Sequence, residues 1–419
     1  MLISPGIRPS IRLSPHDSQV AHDWRQGRFP QLIQHRIQNL LLVSSPYDLF
    51  ILEEDGLSTD MISSEYIDLG LTHAPNITRV STGEEALAAI RSRPFDLVIT
   101  LLRLGDMDVR KFTQAVRQLQ PDLPVVLLVA NDWELTRLTT QRAELNVDGI
   151  YVWHGDVKVI VAIVKLLEDR LNVEHDTRVG DVGVIILLED SVRFRSSLLP
   201  IIYSQLVRQT RAVMADGLNH MDKLMRMAAR PKVLAAETYE QGLELFHQFR
   251  KHLFGIISDV SYPRANRLDP QGGISFIRQV QAELPDVPTL LQSSDPANWR
   301  LAESLGVSFL HKKSPTLLED VRNFMLEHFG FGDFVFRMPD GREVARAGDL
   351  RSMARVLRDV PAESIEYHAH HNHFSNWFRA RTEFALARRM RPRHVSEFSD
   401  IEAIRDRGWH SARHHVISG

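Results

Sequence analysis

Short runs of aliphatic residues alternate with amphipathic stretches along most of the chain. The runs in its first half predict five strands, at 40–43, 77–80, 95–101, 124–129 and 149–153. Stretches with helical spacing separate them, as at 83–90 and 111–119. Strands that are apolar throughout and alternate with helices are typical of a parallel sheet covered on both faces. This half therefore predicts a flavodoxin-like, doubly wound α/β domain.

The second half repeats the same order of elements. Its predicted strands lie at 184–188, 232–236, 254–258, 288–292 and 308–310. Two pairs of segments match in sequence: RVSTGEEALAAI with LAAETYEQGLELF, and PDLPVVLLV with PDVPTLLQS. Matching segments that occur in the same order in both halves of a chain indicate duplication of one structural unit. We therefore expect two α/β domains of the same (βα)5 fold in tandem.

The rest of the chain divides around these two domains. The predicted segments are a flexible N-terminal tail at 1–36, a first domain at 37–175, a polar linker at 176–181, a second domain at 182–330 and an α-rich C-terminal region at 331–419. An amphipathic excursion at 203–230 carries several arginines among apolar residues. It is open whether this excursion packs on its own domain or makes a dimer or interdomain contact.

Composition narrows the class of protein. The 419 residues are 43% hydrophobic and 25% charged, as in soluble globular proteins, and the net charge of −3 predicts no general attraction to nucleic acid or membrane. The absence of cysteine excludes disulfides, thiolate catalysis and cysteine metal sites. No apolar run reaches the roughly 18 residues of a membrane span, and the N-terminus lacks the apolar core of a signal peptide. We expect a cytoplasmic protein.

Polar residues follow four predicted strands of the second domain. Glu189 and Asp190 come after its first strand, Asp259 after the third, Ser293 after the fourth and Lys312 after the fifth. The carboxyl ends of parallel strands meet at one edge of a sheet, so these side chains should converge. Carboxylate oxygens suit Mg²⁺, and a lysine with a hydroxyl suits a phosphoryl group. The pattern predicts a site for phosphoryl chemistry.

This ordered set resembles the receiver domain of bacterial response regulators across residues 182–330. The matching residues are the metal ligands Glu189, Asp190 and Asp259, and the phosphoryl-binding residues Ser293 and Lys312. The resemblance implies that Asp259 accepts a phosphoryl group with Mg²⁺ as cofactor. It also implies a sensor histidine kinase or phosphotransfer protein as donor and a protein output partner, with a homodimer as a further option. Two departures are Lys313, where the family usually has proline, and a longer loop after Asp259.

The first domain lacks these groups at the corresponding positions. Ser44 and Ser45 replace the acidic pair, Leu101 replaces the acceptor, Val129 replaces the hydroxyl residue and His154 lies near the lysine position. A leucine cannot accept a phosphoryl group. We therefore predict a pseudo-receiver that acts by packing, with a different small ligand in the same crevice as the alternative.

The C-terminal region contains a histidine cluster, at His368, His370, His371 and His373, and several arginines. Structural or partner-binding histidines are favoured over a metal site, since no Asp or Glu lies within the cluster. Ser375 is the expected N-cap of a helix at 375–390. Interleaved acidic residues favour a protein-docking face over nucleic-acid binding for the arginines.

Three segments also resemble the regulatory N-terminal region of phosphoenolpyruvate synthase or pyruvate phosphate dikinase-like proteins. They are NHFSNWFRARTEF, FGFGDFVFRMPDGREVARA and LEEDGLSTDMISSEYIDLGL. In that family two receiver-like domains precede a catalytic module, of which we find no motif here, so the enzymatic name is not expected to transfer. We expect a response regulator and not an enzyme. The alternatives are a non-phosphorylated tandem-receiver scaffold and a regulatory fragment of a phosphoenolpyruvate synthase-like system.

Overall fold

The computed structural model describes residues 32–54, 58–69, 71, 74–138, 144–215 and 228–390. The first domain contains a parallel five-stranded sheet flanked by helices. Its strands are β1 (Asn39–Val43), β2 (Asn76–Val80), β3 (Leu97–Leu101), β4 (Val125–Val129) and β5 (Gly149–Val152), in the order β2-β1-β3-β4-β5. Its helices are α1 (Pro46–Glu54), α2 (Thr59–Asp68), α3 (Gly83–Ser92), α4 (Val109–Leu119), α5 (Asp132–Leu138) and α6 (Lys158–Gly180).

The second domain repeats this topology. In chain order its elements are β6 (Val184–Leu188), α7 (Val192–Ala215), β7 (Lys232–Ala236), α8 (Tyr239–Phe249), β8 (Leu253–Asp259), β9 (Tyr262–Arg264), β10 (Arg267–Asp269), α9 (Gly272–Glu283), β11 (Thr289–Ser293), α10 (Trp299–Leu305), β12 (Ser308–His311) and α11 (Leu317–Glu327). The parallel sheet has the order β7-β6-β8-β11-β12, and β9 and β10 form a separate antiparallel hairpin.

Burial explains why the strands are apolar runs without alternation. Every residue of β3, β4, β6 and β8 is buried, because helices cover both faces of each sheet. The prediction of two flavodoxin-like α/β domains followed by a mostly helical region is confirmed. Within the described residues, no helix is both long and apolar enough to cross a membrane.

The segment predicted as a polar linker, 176–181, is helical through Gly180, because α6 continues into it. Its polar residues are engaged in contacts that the sequence does not reveal. Asp176 is fully buried, with one carboxylate oxygen 2.8 Å from Lys232 Nζ. Thr177 donates its hydroxyl proton to the Val173 carbonyl at 2.7 Å. The two domains are therefore joined by a continuous helix.

Helix α6 also binds the chain segment that precedes β1. Three polar side chains, spaced four residues apart on one face of α6, accept hydrogen bonds from alternate N–H groups of this segment. The acceptors are Glu168, Asn172 and Asp176, and the donors are Ile37, His35 and Ile33 respectively. Residues 32–36 of the predicted flexible tail are thus docked, and residues 1–31 lie outside the described part of the chain.

The amphipathic excursion after β6 makes an interdomain contact. Helix α7 is a long first helix, and its Arg211 donates to the Asp68 carbonyl of the first domain at 2.7 Å. Beyond α7, the buried Arg230 donates a hydrogen bond from each of its two terminal nitrogens to the Asp169 carboxylate on α6, at 2.9 and 2.7 Å. For the described residues of 203–230, the structure therefore favours the interpretation that this excursion makes an interdomain contact. Residues 216–227 lie outside the described part of the chain.

The C-terminal region folds around its own aromatic core. Its elements are β13 (Phe334–Arg337), β14 (Glu343–Ala347), α12 (Leu350–Asp359), α13 (Ala362–His370), α14 (His373–Ala380) and α15 (Phe384–Met390). The predicted cap at Ser375 is wrong: α14 begins at His373, with Asn372 preceding it in a left-handed conformation. The predicted single helix is divided at Thr382, whose φ is 61°. Residues 391–419 lie outside the described range.

This region docks on the second domain at the edge opposite the carboxyl ends of the strands. Arg379 donates to the carbonyl of Leu253, the first residue of β8, at 2.9 Å. Asn372 donates to Asp286, shortly before β11, at 2.7 Å. The C-terminal region therefore lies far from the predicted phosphoryl site along the strand direction.

Candidate functional site

The sheet of the second domain brings the predicted site residues together. Glu189 and Asp190 directly follow β6, Asp259 ends β8, Ser293 ends β11 and Lys312 directly follows β12. These strands are adjacent and parallel in the order β6-β8-β11-β12, so their carboxyl ends share one edge of the sheet. The positions of all five residues agree with the predicted convergence.

Three carboxylates form the acidic part of the site. One oxygen from each of Glu189, Asp190 and Asp259 lies within 4.8 Å of the others. Glu189 is fully buried, Asp259 is 8% exposed and Asp190 is half-buried, so the cluster opens to solvent on the Asp190 side. Hard divalent cations take oxygen ligands, and Mg²⁺ in particular combines one or two carboxylates with water. The donor set and its open side fit Mg²⁺.

Lys312 connects two of these carboxylates. Its Nζ lies 2.6 Å from Asp259 Oδ2 and 2.7 Å from Glu189 Oε2. The ammonium also lies 4.5 Å from the ring centroid of Phe194. The side chain is almost fully buried, and a buried ammonium requires such compensation by charge and aromatic surface. One cation is thus shared between the predicted acceptor and a predicted metal ligand.

Glu189 and Asp190 bind protons more tightly than ordinary carboxyl groups. Burial raises the pKa of Glu189 to about 7, although the charge of Lys312 opposes the change. The pKa of Asp190 is also raised, first by burial and then by the negative charge of Asp259. Negatively charged groups held close together disfavour each other's ionisation, and such perturbed pKa values are common at functional sites.

Gln292 is a site residue that the sequence analysis missed. Its Nε2 donates to Glu189 Oε2 at 2.7 Å, while the N–H of Ser191 donates to Glu189 Oε1 at 3.1 Å. Both oxygens of Glu189 are therefore held. Gln292 Oε1 is buried and has no hydrogen-bond partner among the described residues. The available signal was a polar residue in a predicted core strand, since buried polar groups require partners.

The Ser293 side chain, at the end of β11, is held by two hydrogen bonds that its hydroxyl oxygen accepts. Its Oγ accepts from the N–H of Asp295 at 3.1 Å and from Asn298 Nδ2 at 2.9 Å. A hydroxyl has one donor in addition to two acceptor positions, so these bonds leave the proton for another partner. Ser293 can therefore donate a hydrogen bond without losing its present ones.

The long loop after Asp259 forms the β9–β10 hairpin. Its turn residues Ala265 and Asn266 have positive φ, at 49° and 62°, and the N–H of Ala265 donates to Glu240 at 3.0 Å. Behind the hairpin, a Cβ on Gly273 would lie 2.1 Å from the Asp259 carbonyl oxygen. Glycine at this position lets α9 begin directly against the predicted acceptor.

The first domain has no corresponding cluster in its described residues. Leu101 and Val129 are buried in its core at the positions predicted for an acceptor and a hydroxyl. Ser45 donates to Asp48 at 2.9 Å, and His154 is exposed. Asp106 accepts from the N–H groups of Gly83 and Glu84 and so caps α3. The hydrogen bonds of Ser45 and Asp106 thus stabilise the local fold of the first domain.

The contacts of the histidine cluster favour its structural interpretation. His368 Nε2 accepts from the N–H of Arg337 at 2.7 Å, and its Nδ1 lies 2.8 Å from His373 Nδ1. Burial lowers the pKa of His368 to about 4 and that of His373 to about 3, so both rings are neutral near pH 7. Within the described chain, no group of three metal-ligating residues includes these histidines.

Comparison with known proteins gives structural neighbours only. No protein-family model matches the sequence, and no curated protein matches it. One similar solved structure is a two-component system response regulator/GGDEF domain protein, with a TM-score of 0.29 and 17% identity over 69% of this chain and 98% of that one. A second of the same description has a TM-score of 0.28 and 15% identity over 68% and 96% of the two chains.

Because these TM-scores are low, the fold assignment rests on the sheet topology of this chain itself. The resemblance to phosphoenolpyruvate synthase-like proteins stays a prediction.

Proposed function

We propose that this chain is a response regulator of a two-component phosphorelay, phosphorylated on Asp259 with Mg²⁺. The observation that carries the proposal is the arrangement at one sheet edge: Glu189, Asp190 and Asp259 converge there, and Lys312 contacts two of the three carboxylates. A metal site alone needs no shared lysine. A lysine beside a nucleophilic carboxylate suits the transfer of an anionic phosphoryl group.

In the proposed reaction the donor is a phosphohistidine of a sensor histidine kinase or phosphotransfer protein. A carboxylate oxygen of Asp259 attacks phosphorus, an O–P bond forms and the P–N bond breaks. The departing imidazole keeps the electron pair and takes up a proton from solvent. Lys312 neutralises negative charge and Ser293 donates a hydrogen bond to the transferred group. Bound Mg²⁺, held by Glu189, Asp190 and Asp259, would neutralise the phosphoryl oxygens.

In this proposal the chain receives a phosphoryl group instead of turning over a substrate of its own. The signal passes to a protein partner, because the chain carries no strong net charge for nucleic acid. The small electrostatic change at Asp259 would bias the surface around the site between two states.

The test is intact-mass analysis after treatment with acetyl phosphate, with and without Mg²⁺. Wild type should gain the mass of one phosphoryl group only with Mg²⁺, and Asp259→Asn should gain none. Asp106→Asn is the matched control, since Asp106 is an aspartate of the first domain whose carboxylate caps a helix. Failure of folded wild type to gain mass would contradict the proposal.

The competing candidate is a scaffold in which neither domain is phosphorylated. The first domain supports this candidate, since the buried Leu101 and Val129 stand there at the positions predicted for an acceptor and a hydroxyl. A scaffold predicts that Asp259→Asn leaves partner binding unchanged in a pull-down of the natural partner. The response-regulator proposal predicts that phosphorylation of Asp259 changes this binding.

A further inference from the structure

The first turns of α7 lie between the candidate site and the first domain. Phe194 faces the site, with its ring 4.5 Å from Lys312 Nζ. Val192 faces the other way and packs in a core cluster of the first domain with Val129 and Val152. A single helical turn thus contacts both the phosphoryl site and the domain that lacks one.

A hydrogen bond fixes this helix to the edge strand of the first sheet. The N–H of Val152, in the edge strand β5, donates to Ser196 Oγ at 2.9 Å. Ser196 in turn donates to the Val192 carbonyl within α7 at 2.7 Å. Both residues of α7 are buried, so the edge of the first sheet is covered by the second domain.

Arg195 makes the contact that reaches the acidic pair. It is 2% exposed, and its Nη1 donates to the Glu189 carbonyl oxygen at 3.1 Å. The same nitrogen lies 2.7 Å from Glu237 Oε1, which neutralises the guanidinium. From the first domain, the Ile150 carbonyl accepts from Nη2 at 3.4 Å and the Tyr151 ring lies 5.7 Å away. The guanidinium therefore has partners on both domains.

The Glu189 carbonyl that accepts from Arg195 lies between the two acidic side chains along the backbone. It belongs to the peptide group that joins Glu189 to Asp190, the two consecutive carboxylates of the predicted metal site. A hydrogen bond to this oxygen restrains the plane of that peptide, and so restrains the direction in which both side chains leave the backbone. Groups behind metal ligands commonly set ligand orientation in this way.

We infer that Arg195 is a positioning residue through which the first domain holds the Glu189–Asp190 peptide in the orientation that the metal requires. The inference rests on the proposed function of the site. It assigns the first domain a chemical role: the domain lacks an acceptor of its own and supports the acceptor site of its neighbour. Arg195 itself contacts neither the phosphoryl group nor the cation.

The test measures cation binding directly, using Mn²⁺ as a paramagnetic probe of the Mg²⁺ site and no phosphodonor. Free Mn²⁺ is followed by electron paramagnetic resonance in full-length wild type, Arg195→Met, Arg195→Lys and Arg193→Met. The two Arg195 variants should raise the Mn²⁺ dissociation constant about tenfold with unchanged stoichiometry. Arg193→Met should stay within about twofold, because its cross-domain pair with Asp132, at 3.3 Å, is solvent-exposed.

The results distinguish failure of the inference from failure of the proposed function. Wild type that neither binds Mn²⁺ nor gains phosphoryl mass would overturn both. If wild type binds Mn²⁺ and gains phosphoryl mass, and the Arg195 variants have the same Mn²⁺ dissociation constant as wild type, the inference alone is overturned. Reduced stoichiometry with an unchanged dissociation constant would indicate partial unfolding and would also overturn it. Should circular dichroism show Arg195→Met unfolded, Arg195→Lys decides, because lysine keeps the charge but cannot reach all the partners of the guanidinium.

Discussion

Lys312 Nζ lies 2.6 Å from Asp259 Oδ2, and the same ammonium lies 2.7 Å from Glu189 Oε2. The predicted phosphoacceptor and a predicted metal ligand are therefore coupled through one buried cation. This coupling places the charges that phosphoryl transfer requires next to each other before any donor arrives. It also makes the electrostatics of the site testable one residue at a time.

Removal of Lys312 should slow phosphorylation far more than removal of its neighbour. In Lys312→Met we expect the initial rate of phosphoryl mass gain from acetyl phosphate, at saturating Mg²⁺, to fall at least about 100-fold, because a preorganised cation at the transferred group is lost. Lys313→Met is the matched control, since Lys313 is exposed and should leave the rate unchanged. Equal effects in the two variants would contradict the assigned role of Lys312.

The raised pKa of Glu189 predicts a pH-dependent cost in stability. Between its ordinary pKa of 4.5 and the folded value of about 7, the folded protein binds more protons than the unfolded chain, so stability falls as the pH rises through this window. In EDTA, Glu189→Gln should be more stable than wild type by about 3 kcal/mol at about pH 8. This advantage should disappear below about pH 4, where the Glu189 carboxyl is protonated in both the folded and the unfolded state.

Urea unfolding of both proteins across this pH range measures the difference. Asp190 is present in both, so its own raised pKa contributes to both curves. A difference between Glu189→Gln and wild type that did not change with pH would show that the Glu189 carboxylate carries no such cost.

Gln292 should matter for cation binding more than for stability. Gln292→Leu removes the donor to Glu189 and also removes a buried acceptor that lacks a partner among the described residues. We expect the free energy of unfolding to change by less than about 1 kcal/mol, because these two effects oppose each other. The Mn²⁺ dissociation constant should rise about threefold to tenfold, since an orienting partner of a ligand is lost.

The control for Gln292 lies at the other end of the same strand. Thr289→Val removes a hydroxyl that donates to the Val287 carbonyl at 3.0 Å, away from the site. It should leave Mn²⁺ binding unchanged. Weakened binding in Thr289→Val as well would assign the effect to general damage of β11.

The ion pair between Asp169 and Arg230 should contribute strongly to the coupling of α6 with the second domain. Both side chains are buried, and Asp169 also accepts from the Tyr203 hydroxyl at 2.9 Å. In Asp169→Ala the buried guanidinium loses its counter-charge, so we expect a loss of about 3–5 kcal/mol in urea unfolding. Glu283→Ala breaks an exposed pair with Arg250 and should cost less than about 1 kcal/mol. Comparable losses would contradict the assigned role of the buried pair.

The strands and the convergence of site residues were predictable because they depend on local patterns. Buried parallel strands are continuous apolar runs, and the topology of such sheets places the residues after them at one edge. Glu189, Asp259 and Lys312 therefore lie where their sequence positions indicated.

The contacts that the sequence did not predict depend on partners distant in the chain. Asp176 looked like a linker residue because its partner Lys232 lies on another element, 2.8 Å away. Arg195 carries no local sequence signal, because its hydrogen bond to the Ile150 carbonyl exists only when the two domains pack together. The helix start after Asn372 depended on a left-handed residue in place of a side-chain cap.

The most direct measurement is to locate the phosphoryl group on the chain. Borohydride reduces an aspartyl phosphate by hydride addition to its acyl carbon, so the aspartate becomes homoserine and phosphate is released. After acetyl phosphate and Mg²⁺, peptide mapping of wild type should find homoserine at position 259, with none at Asp106 or Asp108 and none anywhere without Mg²⁺. Unmodified Asp259 in folded, Mg²⁺-treated protein, or modification only at another aspartate, would contradict the account.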